Sequence, residues 1–229
     1  MHFHLPKPLH GWRAFAGEVG IIVVGVLIAL AAEQVVDDIR WHQKVGVVRK
    51  SLTEELGNDR GRWQVDMAEA PCLLDSIDKL DHWARSGGSG DVTAASADLS
   101  NGGLLWMHSA NWQLATASQT LDHFPMEQQL EFATAYDGVA HRQVDIEKAA
   151  DLFESIGSLI PLADTEEGRR DLRGALGKLK ERIAALTGND AYMRRHFDAL
   201  GVKPDTRDFA ADLSGSRCGG EIQHALPPS

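Results

Sequence analysis

The segment that decides the fold lies close to the start of the chain and reads Phe15-Ala-Gly-Glu18-Val-Gly-Ile-Ile-Val-Val-Gly25-Val-Leu-Ile-Ala-Leu-Ala-Ala32-Glu33. No charged residue interrupts it between Glu18 and Glu33. Extended over residues 14–36, the segment spans about 34 Å as a helix, enough to cross a hydrocarbon core of about 30 Å. Trp12 and Trp41 flank it as interfacial aromatic residues do. The segment predicts a single transmembrane helix.

A cleaved signal peptide is the alternative. Lys7 and Arg13 form a positive leader, and Ala29-Leu30-Ala31 resembles a small-residue cleavage site. Against cleavage, Glu18 is acidic where such leaders are basic. The helical pattern also continues beyond the possible cleavage site to Ile39. These features favour an uncleaved anchor, and both alternatives stay open.

The stretch Gly17-Glu18-Val-Gly-Ile-Ile-Val-Val-Gly25-Val-Leu-Ile-Ala-Leu30 resembles the N-terminus of a family of uncharacterised bacterial single-pass membrane proteins. In that family, a Gly-Glu pair precedes a Gly-(Val/Ile)-Leu-Ile-Ala-Leu run, and a helical extracytoplasmic region follows. The resemblance covers about 30 residues closely. It implies a topology but no activity, because the family has no established one. The segment after the run, Glu33-Gln34-Val-Val-Asp37-Asp38, departs from the family pattern, which often continues with Asn and Trp.

The orientation follows from the charges nearest the membrane. Lys7 and Arg13 precede the span, with no acidic residue before Glu18. A wider count of Lys and Arg favours the opposite orientation, but long domains translocate despite their charges. We therefore expect a cytoplasmic N-terminus, a bacterial inner-membrane location and a periplasmic bulk. The lipid bilayer is the first expected partner.

One face of the predicted span favours contact with another helix. At 100° per residue, a single stripe contains Glu18, Gly25, Ala29 and Ala32. Small residues let helices approach closely, and a carboxylate on such a stripe prefers a protein partner to lipid. We expect this face to pack against a second copy or another membrane protein. In the alternative interpretation, Glu18 only reaches the headgroups.

The charge distribution excludes one class of partner. The chain has a formal net charge of −10, and residues 1–36 are neutral because Lys7 and Arg13 balance Glu18 and Glu33. The whole excess of acidic residues therefore lies beyond the span. Nonspecific nucleic-acid binding needs clustered cations, so we expect no nucleic-acid partner.

The rest of the chain shows helical periodicity, which predicts an all-α fold. A stalk helix is expected from the anchor to about Glu69, with Pro71 kinking or restarting it. Further helices are predicted over Ser109–Phe124, from Pro125 to about Leu159, from about residue 165, and in a short last helix to Leu200. The predicted organisation is a leader (1–13), a transmembrane helix (14–36), a helical stalk and bundle (37–200) and a mobile tail (201–229).

No catalytic motif is apparent, so we expect neither an enzyme nor a cofactor. His108, His123 and His141 have acidic neighbours in sequence, but only His141 and Asp145 have ligand-like spacing, and surface histidines are the commoner case. We interpret the pair Glu54-Glu55 as a solvated face. Cys72 and Cys218 could form a disulfide in an oxidising periplasm, or they are two unrelated thiols.

Two functions remain. The first is a membrane-anchored interaction or scaffold protein, either an accessory subunit or a homo-oligomer in the bacterial envelope. The second is a periplasmic sensor-like bundle that signals through a partner, with a ligand pocket formed by Trp106, Trp112, Phe132 and Tyr136. A deep apolar pocket would favour the sensor, and an exposed apolar patch would favour the scaffold.

Overall fold

The structure, a computed structural model, describes residues 11–101, 103–188 and 190–207. Within these ranges the regular elements are all helical, which confirms the predicted all-α class. They are α1 (Gly11–Arg85), α2 (Thr93–Asn101), α3 (Ala110–Ala117), α4 (Met126–Leu159), α5 (Glu166–Gly188) and α6 (Asp190–Ala199), with 3-10 turns at Thr120–His123 and Ile160–Leu162.

Helix α1 is 75 residues long and continues through Pro71. The expected restart at this proline does not occur. Proline removes one backbone donor from a helix, but burial of residues on both sides holds the chain in place. Ala70 and Leu73 are 3% and 1% exposed. Tertiary packing therefore outweighs the local preference.

By its internal contacts the chain divides into two units, Met1–Val47 and Val48–Ser229, and α1 contributes to both. The described part of the first unit is helix from Gly11 onward. The large apolar side chains of residues 15–39 are exposed, from 41% at Val19 to 76% at Ile21. This is the one helix in the described ranges that is long and apolar enough to cross a membrane.

The second unit has a core around the middle of α1. Leu52, Leu56 and Trp63 are each 0% exposed. Helix α5 packs along α4, with α2 and α6 also against α4. The helix predicted from about residue 165 is α5, and its buried face is formed by leucines and an isoleucine spaced by three and four positions: Leu172, Leu176, Leu179, Ile183 and Leu186.

The predicted helix over Ser109–Phe124 is interrupted. Helix α3 ends at Ala117, and a 3-10 turn follows from Thr120 to His123. Between them Gln119 has a φ of 54°, in the left-handed region, where an L-residue cannot continue a right-handed helix. Pro125 then stands immediately before α4 rather than in its first turn.

Residues 201–207 pack against α1, although the sequence places them in the tail. Val202 is 1% exposed, and its carbonyl oxygen accepts a hydrogen bond of 2.7 Å from Arg60. The amide of Asp205 donates to the carbonyl of Gly57 at 2.9 Å. A Cβ on Gly57 would lie 3.0 Å from the carbonyl oxygen of Lys203, so a larger residue here would have to push this segment outward by a few tenths of an ångström.

Candidate functional site: buried carboxylates and the segment they hold

A row of four buried acidic residues lies on one face of α1. Glu55, Asp59, Asp66 and Glu69 are separated by four, seven and three positions, which places them on one stripe of a helix. They are 9%, 0%, 1% and 7% exposed. Acidic side chains are almost never this buried unless they have partners. We call this set the carboxylate row.

Three members of the row, Glu55, Asp59 and Asp66, accept hydrogen bonds from backbone amides of residues 103–111, which we call the strap. Asp66 Oδ1 accepts from Leu105 N at 3.0 Å, and Asp59 Oδ1 accepts from His108 N at 2.9 Å. Glu55 Oε2 accepts from Asn111 N at 2.9 Å. Residues 103–109 have no regular secondary structure, so their backbone donors need partners from elsewhere. The carboxylate row supplies partners for two of these donors, the amides of Leu105 and His108.

Two further side chains hold the middle of the strap. The amide of Met107 donates to Gln143 Oε1 of α4 at 2.9 Å. The carbonyl oxygen of Trp106 accepts from Arg62 of α1 at 3.2 Å. The strap is therefore bonded to both α1 and α4. Its apolar side chains Leu104 and Met107 are buried.

Helix α4 contacts two members of the carboxylate row. Arg142, 6% exposed, donates from its guanidinium to Asp66 Oδ2 at 2.8 Å. The hydroxyl of Tyr136 donates to Glu55 Oε1 at 2.8 Å. A buried ion pair adds little net stability, but removing one partner leaves a charge in the interior. The arrangement fixes α4, α1 and the strap to one another.

Burial shifts the proton equilibria of the carboxylate row. Burial is the main cause that raises the pKa of Asp59 to about 7, and the neighbouring Glu55 charge adds to it, while the His108 amide opposes it. Burial and the Asp66 charge raise the pKa of Glu69 to about 7. The pKa of Asp66 rises to about 6, also through burial, with Arg142 opposing. The pKa of the Tyr136 phenol is raised by burial and by its bond to Glu55.

Asp59 is only partly compensated. Its Oδ1 accepts one amide, whereas its Oδ2 is buried and has no hydrogen-bond partner among the described residues. The nearest imidazole nitrogen, His108 Nδ1, lies 3.8 Å from Oδ1 on a side chain that is 54% exposed. The amide of His108 and the charge of Arg62 favour the ionised form, but burial outweighs them and shifts this carboxyl group towards its neutral form.

The four aromatic residues predicted to form a pocket pack in different ways. The rings of Trp112 and Tyr136 stack with centroids 4.9 Å apart, and Phe132 meets Phe124 edge-on at 6.0 Å. Trp106, on the strap, is 50% exposed. The structure thus brings together Trp112 and Tyr136 and places Phe132 in the core, where aromatic packing contributes to stability.

Open clefts in the second unit lie elsewhere. One of about 630 Å³ is formed by the end of α1 and the start of α2, near Trp83 and Asp98. Another of about 360 Å³ lies beside Gly138 and His141 of α4 and Tyr192 of α6. The predicted aromatic residues line neither of them.

His108, His123 and His141 do not form a ligand set in the structure. His141 Nδ1 lies 2.8 Å from the carbonyl of Asp137 on its own helix, and its side chain is exposed. His108 is on the strap and His123 is in the 3-10 turn. Across the described ranges, no group of three or more His, Cys, Asp or Glu side chains is arranged to hold a metal ion.

The remaining predicted positions concern the first unit and the cysteines. Glu18, Gly25, Ala29 and Ala32 lie on the exposed first part of α1, and the described atoms leave open space where a Cβ on Gly25 would stand. Their role in helix packing stays a prediction. Cys72 is half-buried in α1, and Cys218 lies outside the described residues, so their pairing also stays a prediction.

The sequence interpretation missed the carboxylate row. It treated Glu54 and Glu55 alike as a solvated face, which is wrong for Glu55: Glu54 is exposed and Glu55 is buried. The available signal was spacing. The row follows a helical stripe through a stretch whose apolar residues, Leu52, Leu56 and Trp63, also need burial.

Comparisons complete the description of the site. The chain matches no protein-family model, no curated protein and no solved structure.

Proposed function

We propose that this chain is a membrane-anchored interaction protein of the bacterial envelope, with the second unit as its docking domain. The observation that carries the proposal is the apolar segment of α1. Its side chains are unburied in the structure, and it belongs to the same helix that forms the centre of the second unit. Apolar surface of this extent is typical of a segment that needs lipid or a protein partner.

The proposed topology has a cytoplasmic N-terminus and a periplasmic second unit at the inner membrane. Support comes from Lys7 and Arg13 before the span and from the resemblance of residues 17–30 to single-pass membrane proteins. The test is protease protection in spheroplasts, with an epitope tag at each end. External protease should remove the C-terminal tag and leave the N-terminal tag. The reverse result would contradict this orientation, and release of the protein by alkaline carbonate would contradict the anchor.

The proposed partner contact is the face formed by Glu18, Gly25, Ala29 and Ala32. Crosslinking in native membranes, followed by mass spectrometry of the intact assembly in mild detergent, would identify a second protein or a homo-oligomer. Gly25→Leu should weaken the assembly because it blocks close helix approach. Gly20→Leu is the matched control, because Gly20 lies on the opposite side of the helix and is equally open in the structure. Equal effects of the two variants would contradict the proposal that the partner packs against this face.

The close packing of the aromatic residues of the predicted ligand pocket favours the interaction role over the sensor role. Trp112 and Tyr136 cover one another, and Phe132 is 2% exposed. A ligand would have to displace these rings. Exposed apolar side chains on α4, Met126 at 67% and Leu130 at 60%, instead offer the bundle surface that a docking partner would cover.

A further inference from the structure

The strap depends on the carboxylate row for its position. Three of its amides, those of Leu105, His108 and Asn111, donate to carboxylate oxygens of α1. A carboxylate accepts such bonds well, but keeping its charge away from water is costly unless the charge is compensated. Asp66 has Arg142 as its cation, whereas Asp59 has an amide on one oxygen and nothing on the other among the described residues.

We propose that Asp59 acts as a proton-controlled clamp on the strap: residues 103–111 are held while Asp59 is neutral and loosen when it is ionised. A neutral carboxyl group still accepts the His108 amide through its carbonyl oxygen. It no longer places a charge at a site with 0% exposure, one helical turn from Glu55. Ionised Asp59 gains hydration only if the strap moves away, so ionisation favours the loosened state.

The sign follows from linkage. The pKa of Asp59 is about 7 in the held state and returns towards its ordinary value near 3.9 when the strap opens and water enters. The held state therefore binds more protons than the open state. Rising pH favours opening across the window between about 4 and about 7. Acidification tightens this clamp.

All charged groups that face Asp59 bear on this equilibrium. On α1, Glu55 favours the neutral form and Arg62 favours the ionised form. On the strap, a protonated His108 would favour the ionised form, but its side chain is 54% exposed and water screens its charge. On α4, the Tyr136 phenol is neutral over this range, because its pKa is raised.

The test is hydrogen–deuterium exchange of the full chain in mild-detergent micelles, compared at about pH 5.5 and about pH 8. Labelling times are scaled for the intrinsic exchange rate, and the buried face of α5 serves as an internal reference. We expect protection of the strap to fall roughly 30-fold over this range from Asp59 alone, while α5 changes much less. Unchanged protection, or protection that rises with pH, would overturn the proposal.

Asp59→Asn provides the decisive variant, because an amide keeps the acceptor for His108 and cannot titrate. It should leave a pH dependence of about fourfold or less, which is the share expected from Asp66. Glu54→Gln is the matched control, since Glu54 is an exposed carboxylate on the same helix, and it should retain the full dependence. If Asp59→Asn keeps the full dependence, the clamp is refuted. If this variant does not fold, strap protection of the unmodified chain that is unchanged or higher at about pH 8 still refutes the clamp.

Discussion

The two parts of α1 place opposite kinds of side chain in opposite surroundings. In the first unit, Ile21 is 76% exposed and Leu27 is 59% exposed, whereas in the second unit Asp59 and Asp66 are 0% and 1% exposed. Burial therefore does not follow from residue type alone. A carboxylate can be buried where backbone amides and a guanidinium form hydrogen bonds with it. An apolar helix can stay exposed within one chain if lipid or a partner protein covers it.

The largest effect should come from removing a partner of the carboxylate row. Arg142→Met leaves Asp66 buried without its cation and should lower the free energy of unfolding by about 3–5 kcal/mol. The measurement is urea-induced unfolding of the full chain in mild detergent. Arg170→Met is the control, because Arg170 and its partner Glu166 are 72% and 87% exposed, and it should change stability by less than about 0.5 kcal/mol. Similar losses for the two variants would show that the buried Arg142–Asp66 pair contributes no more to stability than an exposed ion pair.

The next effect tests the other part of α1. Leu27→Arg puts a charge at the centre of the proposed span and should raise the cost of insertion by about 2.5–3.5 kcal/mol. The measurement is the membrane-bound fraction after alkaline carbonate extraction. Val47→Arg, also on an exposed position of α1, lies beyond the proposed span and should leave that fraction unchanged. If Leu27→Arg stays fully membrane-bound, residues 14–36 are not the anchor.

A smaller effect concerns global stability and pH. The pKa of Asp59 is raised in the folded state, so the folded chain binds more protons, and the contribution of Asp59 to stability is lost as pH rises from about 4 to about 7. Relative to the unmodified chain, Asp59→Asn should therefore gain about 1–2 kcal/mol between about pH 5 and about pH 7. Urea titrations of both proteins at the two pH values measure this difference. A difference of opposite sign would mean that Asp59 is stabilised as a charge.

The smallest effect compares a hydroxyl with a carboxylate as an acceptor for the backbone. Thr165 Oγ1 accepts from Gly168 N at 3.0 Å at the start of α5. Thr165→Ala should lower the free energy of unfolding by about 1 kcal/mol. Thr165→Ser keeps the hydroxyl acceptor and should lose only a small part of that stability. Because this acceptor is uncharged, the loss should not vary with pH, unlike the effect of Asp59→Asn. If the stability lost in Thr165→Ala varied with pH, the contrast between an uncharged acceptor and the titrating carboxylate of Asp59 would be contradicted.

Local patterns predicted the parts of the fold that local forces determine. Helical periodicity was sufficient to predict a helix from about residue 165, and α5 begins at Glu166. The break at Gln119 was missed because no glycine or proline marks it. The burial of Glu55 was missed because its partners, Asn111 and Tyr136, lie 56 and 81 residues further along the chain.

The same limit applies to the candidate site. The sequence analysis placed Tyr136 in a predicted ligand pocket. It did not predict that the Tyr136 hydroxyl donates a hydrogen bond to Glu55 Oε1. Nothing in the local pattern distinguishes Glu54 from Glu55, since both are acidic residues on one helix. The distinction arises only when an irregular segment from beyond α2 needs acceptors for its amides.

The packing of residues 201–207 on α1 has a consequence for the order of events during synthesis. Gly57 and Arg60 leave the ribosome well before the groups that cover them, around Val202 and Asp205. The bond from Arg60 to Val202 joins residues 142 positions apart. This part of α1 therefore stays without that cover while the residues between Arg60 and Val202 are made. Contacts this distant in sequence slow folding and prolong exposure to aggregation. A chain cut short after Leu200 would lack the residues that cover Gly57 and Arg60 of α1.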